Sequence, residues 1–202
     1  MRLGLFGGSF DPVHYGHLRL ATECRAQAQL DDVWLMPAAV QPHKIGGPQA
    51  SALDRLRMLE LAVADIPALS VSRLEIDRGG VSYTIDTLRA IQATHPRAEL
   101  FLLMGADTLR DLPNWREPTE IGQLATPLVV HRAGEPAPDF DVLVPLVSAA
   151  RLAQIRALEV EMPAVDISST ELRERVARGE SIEGMTPRAV VEFISKHHLY
   201  LR

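Results

Sequence analysis

Residues 7–18, Gly-Gly-Ser-Phe-Asp-Pro-Val-His-Tyr-Gly-His-Leu, narrow the folding options of this chain more than any other stretch, because of what lies on either side of them. Before them runs Arg2-Leu3-Gly4-Leu5-Phe6, short and mostly apolar, the pattern of a buried strand; after them residues 18–29 are rich in Ala, Leu, Arg and Gln, the pattern of a helix. Asp32-Val33-Trp34-Leu35-Met36-Pro37 reads as a second strand after a short turn. Strand, helix and strand in that order build a parallel sheet with right-handed crossovers. The expected class is α/β, an open and mostly parallel sheet with helices on both faces.

The loop at the first strand-to-helix junction has the chemistry of an anion site. Gly7 and Gly8 let backbone approach a ligand, Pro12 stiffens the turn, and the unpaired N–H groups of the next helix point above the strand end. His14 and His17 are three residues apart, so a helix beginning near residues 13–16 projects both imidazoles to one side of its first turn. Neither common phosphate loop is present: no Gly-Lys-Ser/Thr ending and no Gly-x-Gly-x-x-Gly. The two histidines stand where a lysine would. The plainer alternative has one histidine packed in the core and the other solvated.

With 202 residues, 47% hydrophobic and 23% charged, the chain can bury one good core, and a single domain over residues 1–202 is expected. One cysteine, Cys24, excludes an internal disulfide and fits a reducing cytoplasm. No export signal opens the chain and no apolar run approaches about 18 residues, so no membrane partner is expected. A formal net charge of −5 argues against a nucleic-acid-coating surface. Phosphate would have to be held by a local cluster of basic groups, on a small substrate.

Further along, residues 38–50 hold Pro42, Gly46, Gly47 and Pro48 and form a loop beyond the carboxyl end of the second strand, the edge where open α/β sheets bind ligands. Lys44 in that loop is either a solvated charge or a ligand contact. Ser51 caps an amphipathic helix to about Asp65, with Leu53, Leu56, Leu59 and Val63 as core, and residues 69–76 read as a strand. Ser82 and Thr84 open another helix, either as caps or as donors to a ligand. Residues 99–104 form a central strand; Asp107 just beyond it either caps a short helix or accepts from a ribose or an adenine amine. Trp115, in a Pro-containing loop, suits stacking on a base-like ring. Residues 127–131 are a strand, residues 145–163 show little beyond a helix at 149–158, and Ile167-Ser168-Ser169-Thr170 leads into a helix ending before Gly179. Arg173, one turn in, can lean back over that helix start with its planar fork. A helix begun by Pro187 closes the chain, and His197 and His198 read as surface or packing residues.

The 7–18 stretch resembles the (H/T)xGH signature of the nucleotidyltransferase superfamily, and more closely the bacterial nicotinate mononucleotide adenylyltransferases, with Ser9 where that family commonly has Thr. Pro-His-Lys at 42–44, Ser-Tyr-Thr-x-x-Thr-Leu at 82–88, Gly-x-Asp at 105–107, Trp115 and Ile-Ser-Ser-Thr-x-x-Arg at 167–173 follow in family order. The second aromatic that often follows the tryptophan is absent from residues 116–119. The resemblance implies a Rossmann-like fold with a small C-terminal helical part. It also implies a reaction of ATP with nicotinate mononucleotide to give deamido-NAD and pyrophosphate. It assigns His14, His17, Lys44 and Arg173 to catalysis, and Gly7, Gly8, Ser9, Phe10, Gly105, Asp107, Ile167, Ser168, Ser169 and Thr170, with His14, His17 and Arg173, to ATP. Lys44, Ser82, Tyr83, Thr84 and Trp115 would hold the mononucleotide. Mg²⁺ would enter mainly on ATP phosphates, since no carboxylate pair has metal-ligand spacing. Adenylyl transfer to nicotinamide mononucleotide or another superfamily substrate, and a non-catalytic nucleotide sensor, are the alternatives.

Overall fold

A computed structural model describes residues 1–42 and 47–201. The elements run β1 (Arg2–Gly8), α1 (Tyr15–Gln27), β2 (Asp32–Pro37), α2 (Ala52–Val63), β3 (Leu69–Val71), α3 (Leu74–Arg78), α4 (Thr84–Thr94), β4 (Glu99–Gly105), α5 (Ala106–Asp111), α6 (Pro118–Leu124), β5 (Ala125–Arg132), α7 (Ala149–Arg156), β6 (Val160–Met162), α8 (Ser169–Ala177) and α9 (Arg188–Lys196). The six strands of the described residues join one parallel sheet in the order β3-β2-β1-β4-β5-β6. The chain winds outward from β1 to β3, returns to lay β4 on the other side of β1, and winds outward again. The winding direction thus reverses between β1 and β4, and their carboxyl ends flank the crevice where such sheets take ligands.

Period-2 alternation explains the two cores. Leu3 and Leu5 of β1, with Leu100, Leu102 and Met104 of β4, face one side; Phe6, Phe101 and Leu103 face the other. The first side is covered by Leu88, Ile91, Ile121 and Ile155 from α4, α6 and α7, the second by Leu20, Leu59, Leu172 and Ile194 from α1, α2, α8 and α9. Each such side chain contributes roughly 1.5–3 kcal/mol on burial. Gly4 sits where a Cβ would lie 2.8 Å from Leu30 Cδ1, so the side chains of Leu30, Val33 and Leu103 fill the space beside β1 and would have to shift to admit one.

Several local expectations are corrected. The strand expected over residues 69–76 stops at Val71, because only Leu69, Ser70 and Val71 pair with β2, and the chain then curls into α3. That curl turns Glu75 inward, where its carboxylate accepts from Thr87 Oγ1 at 2.7 Å. Leu53, expected in the core, is 62% exposed; the buried face of α2 holds Arg55, Leu56, Met58, Leu59, Ala62 and Val63. Residues 160–162, left unassigned by the sequence, form the edge strand β6 against β5. Pro187 is the N-cap of α9 and not its first helical residue. Among the described residues no helix is long and apolar enough to cross a membrane.

Candidate active site

A cleft of about 650 Å³ lies over the carboxyl ends of β1 and β4, lined at its floor by Gly7, Gly8 and Gly105. Ser9, Phe10, His14, His17, Ser82, Tyr83, Thr84, Asp107, Trp115, Ile167, Ser168, Ser169, Thr170 and Arg173 also line it. Residues from five separate stretches of sequence therefore meet in one place; Lys44 lies outside the described residues. The cleft spans both faces of the sheet, for Ile167 packs against one hydrophobic core, and Tyr83 and Trp115 against the other.

The start of α1 is built differently from the expectation that its free N–H groups face the ligand. Tyr15 N–H donates to Met185 O at 3.0 Å, Gly16 N–H to His14 Nδ1 at 3.1 Å, and His17 N–H to His14 O at 3.0 Å. His14 N–H in turn donates to His17 Nδ1 at 3.2 Å. With both Nδ1 atoms accepting, each neutral imidazole carries its proton on Nε2, so the helix end offers two ring donors in place of backbone ones. Burial first, and then the nearby Arg132 charge, hold the His14 pKa down to about 4, so His14 is neutral at pH 7. Gly16 lies tight beside these rings: a Cβ there would lie 3.0 Å from the His14 ring, which would have to shift to admit it. Phe10, backed by Phe6, sets its ring edge-on 5.0 Å from His17 and is 1% exposed, so it contributes packing under the imidazole.

The loop that presents the histidines is braced through its own carbonyls. Arg55, 1% exposed, donates to Ser9 O at 2.7 Å and to Ala38 O at 2.6 Å. Arg173 Nη1 donates to Asp11 O at 2.8 Å, Ser169 Oγ to Pro12 O at 2.9 Å, and Thr186 Oγ1 to Val13 O at 2.8 Å. Such a loop is fixed before any ligand arrives, which is what alignment of reacting groups demands.

Several hydroxyls singled out by the sequence are already committed. Ser168 Oγ caps α8 by accepting from Glu171 N at 3.1 Å, and Thr170 Oγ1 accepts from Arg173 Nη2 at 3.2 Å. Ser82 does not begin α4: Tyr83 is its N-cap, and Ser82 Oγ accepts from Ala39 N at 3.0 Å, tying the Tyr83–Thr84 corner to the loop after β2. Asp107 does not cap α5, whose start has no side-chain cap; it folds back so that a Cβ on Gly105 would meet its Oδ1 at 2.6 Å. Arg116 lies 4.9 Å over the Tyr83 ring and contacts Asp86, holding the Trp115 loop against α4.

Arg132 is the residue that sequence reasoning missed. It ends β5, lines the cleft, and places Nη2 3.8 Å from where a Gly105 Cβ would be. Its signal was its place one residue past the fifth expected strand, on the ligand-bearing edge. Among the described residues no group of three His, Cys, Asp or Glu side chains could cage a metal.

A parallel sheet of this winding, with paired histidines at the first helix and a hydroxyl-and-arginine helix start opposite, defines a nucleotidyltransferase. The chain belongs to the cytidylyltransferase-like family, which it matches over residues 5–175, and within it to the nicotinate-nucleotide adenylyltransferases. It is 47% identical over 200 residues to the probable nicotinate-nucleotide adenylyltransferase of Roseiflexus sp. strain RS-1, covering 98% of this chain and 97% of that one. To the probable nicotinate-nucleotide adenylyltransferase of Thermus thermophilus it is 44% identical, covering 99% of this chain and 100% of that one. The fold is similar to Plasmodium falciparum nicotinic acid mononucleotide adenylyltransferase complexed with NaAD, with a TM-score of 0.74 at 16% identity over 98% of this chain and 97% of the other.

Proposed function

We infer that the protein transfers the adenylyl group of ATP to nicotinate mononucleotide, giving deamido-NAD and pyrophosphate. The observation that carries this is the meeting, in one cleft at the sheet's reversal point, of the His14–His17 pair, the start of α8 and the Thr84–Trp115 corner. A phosphate oxygen of the mononucleotide forms a bond to the α-phosphorus of ATP as the bond from that phosphorus to the bridging oxygen of the β-phosphate breaks. Pyrophosphate carries away the electron pair, and no residue is modified.

The Nε2–H donors of His14 and His17 face the triphosphate and the charge that builds on its oxygens; Arg173 and Arg132 add positive charge, and Ser9 a hydroxyl. Lys44 joins them as a phosphate contact, and Asp107 accepts from the adenosine. Tyr83, Thr84 and Trp115 take the pyridine ring, while Ser82 secures their corner. Mg²⁺, held mainly through the ATP phosphates, would offset phosphate charge. The reaction belongs to the cytoplasm, supported by a single cysteine that is buried, and residues 1–202 form one domain, supported by one sheet that joins every strand of the described residues.

The acid is preferred over the amide because Thr84 and the positive start of α4 offer donors to a carboxylate. An amide NH₂ would meet donors instead, at roughly 1–3 kcal/mol for the unpaired groups. A coupled assay with ATP and each mononucleotide should favour nicotinate at least about tenfold in kcat/KM, each factor of ten being about 1.4 kcal/mol. Thr84→Val should shrink that ratio, and equal efficiencies in the unaltered protein would overturn the substrate assignment.

A further inference from the structure

Asp11 is 3% exposed and does not line the cleft, yet four residues from three distant segments converge on it. Its Oδ2 accepts from Gln49 N at 2.7 Å; its Oδ1 accepts from Ala50 N at 3.1 Å and from Tyr200 OH at 2.8 Å. Arg173 Nη1, bonded to the Asp11 carbonyl, lies 3.9 Å from Oδ2. A buried carboxylate is tolerated only where donors and an opposite charge surround it, and these four supply both. Tyr200 is itself 8% exposed, and burial beside this carboxylate pushes its pKa up, so it remains a hydroxyl donor.

The arrangement joins distant parts of the chain to the catalytic loop. Three residues after Asp11 comes His14, whose Nδ1 caps α1, and the Asp11 main chain is bonded to Arg173, which lines the cleft. A shift of Asp11 therefore moves the imidazole donors and the guanidinium together. Resting on the reading of adenylyl transfer above, we propose that Asp11 and Tyr200 are positioning residues for that transfer: the Tyr200 hydroxyl fixes the Asp11 carboxylate, which sets the loop carrying His14 against Arg173 of α8. Misplacement of about 1 Å in such a site can cost on the order of a hundredfold in rate, so loss of one hydroxyl should be visible in turnover.

The test uses the full chain and compares Tyr200→Phe, Asp11→Asn and the double variant with the unaltered protein, each corrected for folded fraction by near-ultraviolet circular dichroism. Tyr200→Phe is expected to lower kcat about tenfold while KM for ATP and for the mononucleotide moves less than twofold. The double variant should be no slower than Asp11→Asn, because residues acting through one bond are not additive. Should Asp11→Asn fail to fold, Thr186→Val, which cuts the brace on the Val13 carbonyl, takes its place with the same expected fall in kcat. If Tyr200→Phe lowers the melting temperature but leaves kcat per folded molecule within twofold, or raises KM alone, the pair is structural and the proposal fails. Absence of adenylyl transfer in the unaltered protein would instead overturn the functional reading.

Discussion

The imidazoles of His14 and His17 lie 3.8 Å apart, centroid to centroid, at an interplanar angle of 34°, and each ring uses Nδ1 to accept a backbone N–H of the same helix start. The pair is therefore one unit: His14 caps α1 and His17 closes the box behind it. The protons left on Nε2 make the unit a donor without net charge.

His17→Ala should lower kcat far more than it weakens ATP binding, because a donor aimed at developing charge acts chiefly in the transition state. Loss of one such donor is expected to raise the barrier by about 2.7–4 kcal/mol. Steady-state kinetics beside an ATP titration decides it; unchanged turnover with poor ATP binding would mark a ground-state contact.

Gly16→Ala sets helix propensity against the site. Alanine is the better helix former by about 1 kcal/mol, but its Cβ at 3.0 Å must push the His14 ring aside. Activity is expected to fall at least about tenfold, each factor of ten being about 1.4 kcal/mol, with little loss of melting temperature. An active, stabilised variant would show that the ring yields freely.

The His14 pKa of about 4 predicts a pH dependence of stability. The folded state binds this proton more weakly than the unfolded chain, where the value is near 6.5, so the stability of neutral His14 is complete above about 6.5 and lost as pH falls to about 4. The shift corresponds to about 3 kcal/mol. Denaturant unfolding from pH 7 to pH 4 should therefore cost the unaltered protein about that much more than His14→Asn, whose side chain can still cap the helix. Parallel curves for the two would contradict it.

Trp115→Ala should raise KM for the mononucleotide and leave KM for ATP nearly unchanged, because Trp115 shares the Tyr83–Thr84 end of the cleft and packs on the core opposite α8. Equal effects on both substrates, measured with the other saturating, would remove the pyridine-stacking role.

What the sequence determined by itself was set by neighbours in the chain. Apolar runs bounded by turns placed β1, β2 and β4; Ser51 and Ser168 announced the starts of α2 and α8, and both hydroxyls do cap them. The glycine, histidine and arginine motifs fell at strand ends and helix starts, where local geometry makes anion sites, and these positions line one cleft. Tertiary structure alone decided the matters that depend on partners far away in sequence. Arg55 has a buried socket only because the fold brings it the carbonyls of Ser9 and Ala38. Residues 160–162 are too short to signal a strand without the edge of β5 to pair with. Residues 74–78 curl because Thr87 offers Glu75 a buried partner, against a pattern that reads as extended. Arg132 has a place in the cleft only because β5 ends beside β4. The tie between Asp11 and Tyr200 spans 189 residues, and no local propensity encodes it. A hydrogen bond of that reach exists only once the packed core has brought its two ends together, so the fold had to form before the site could be read.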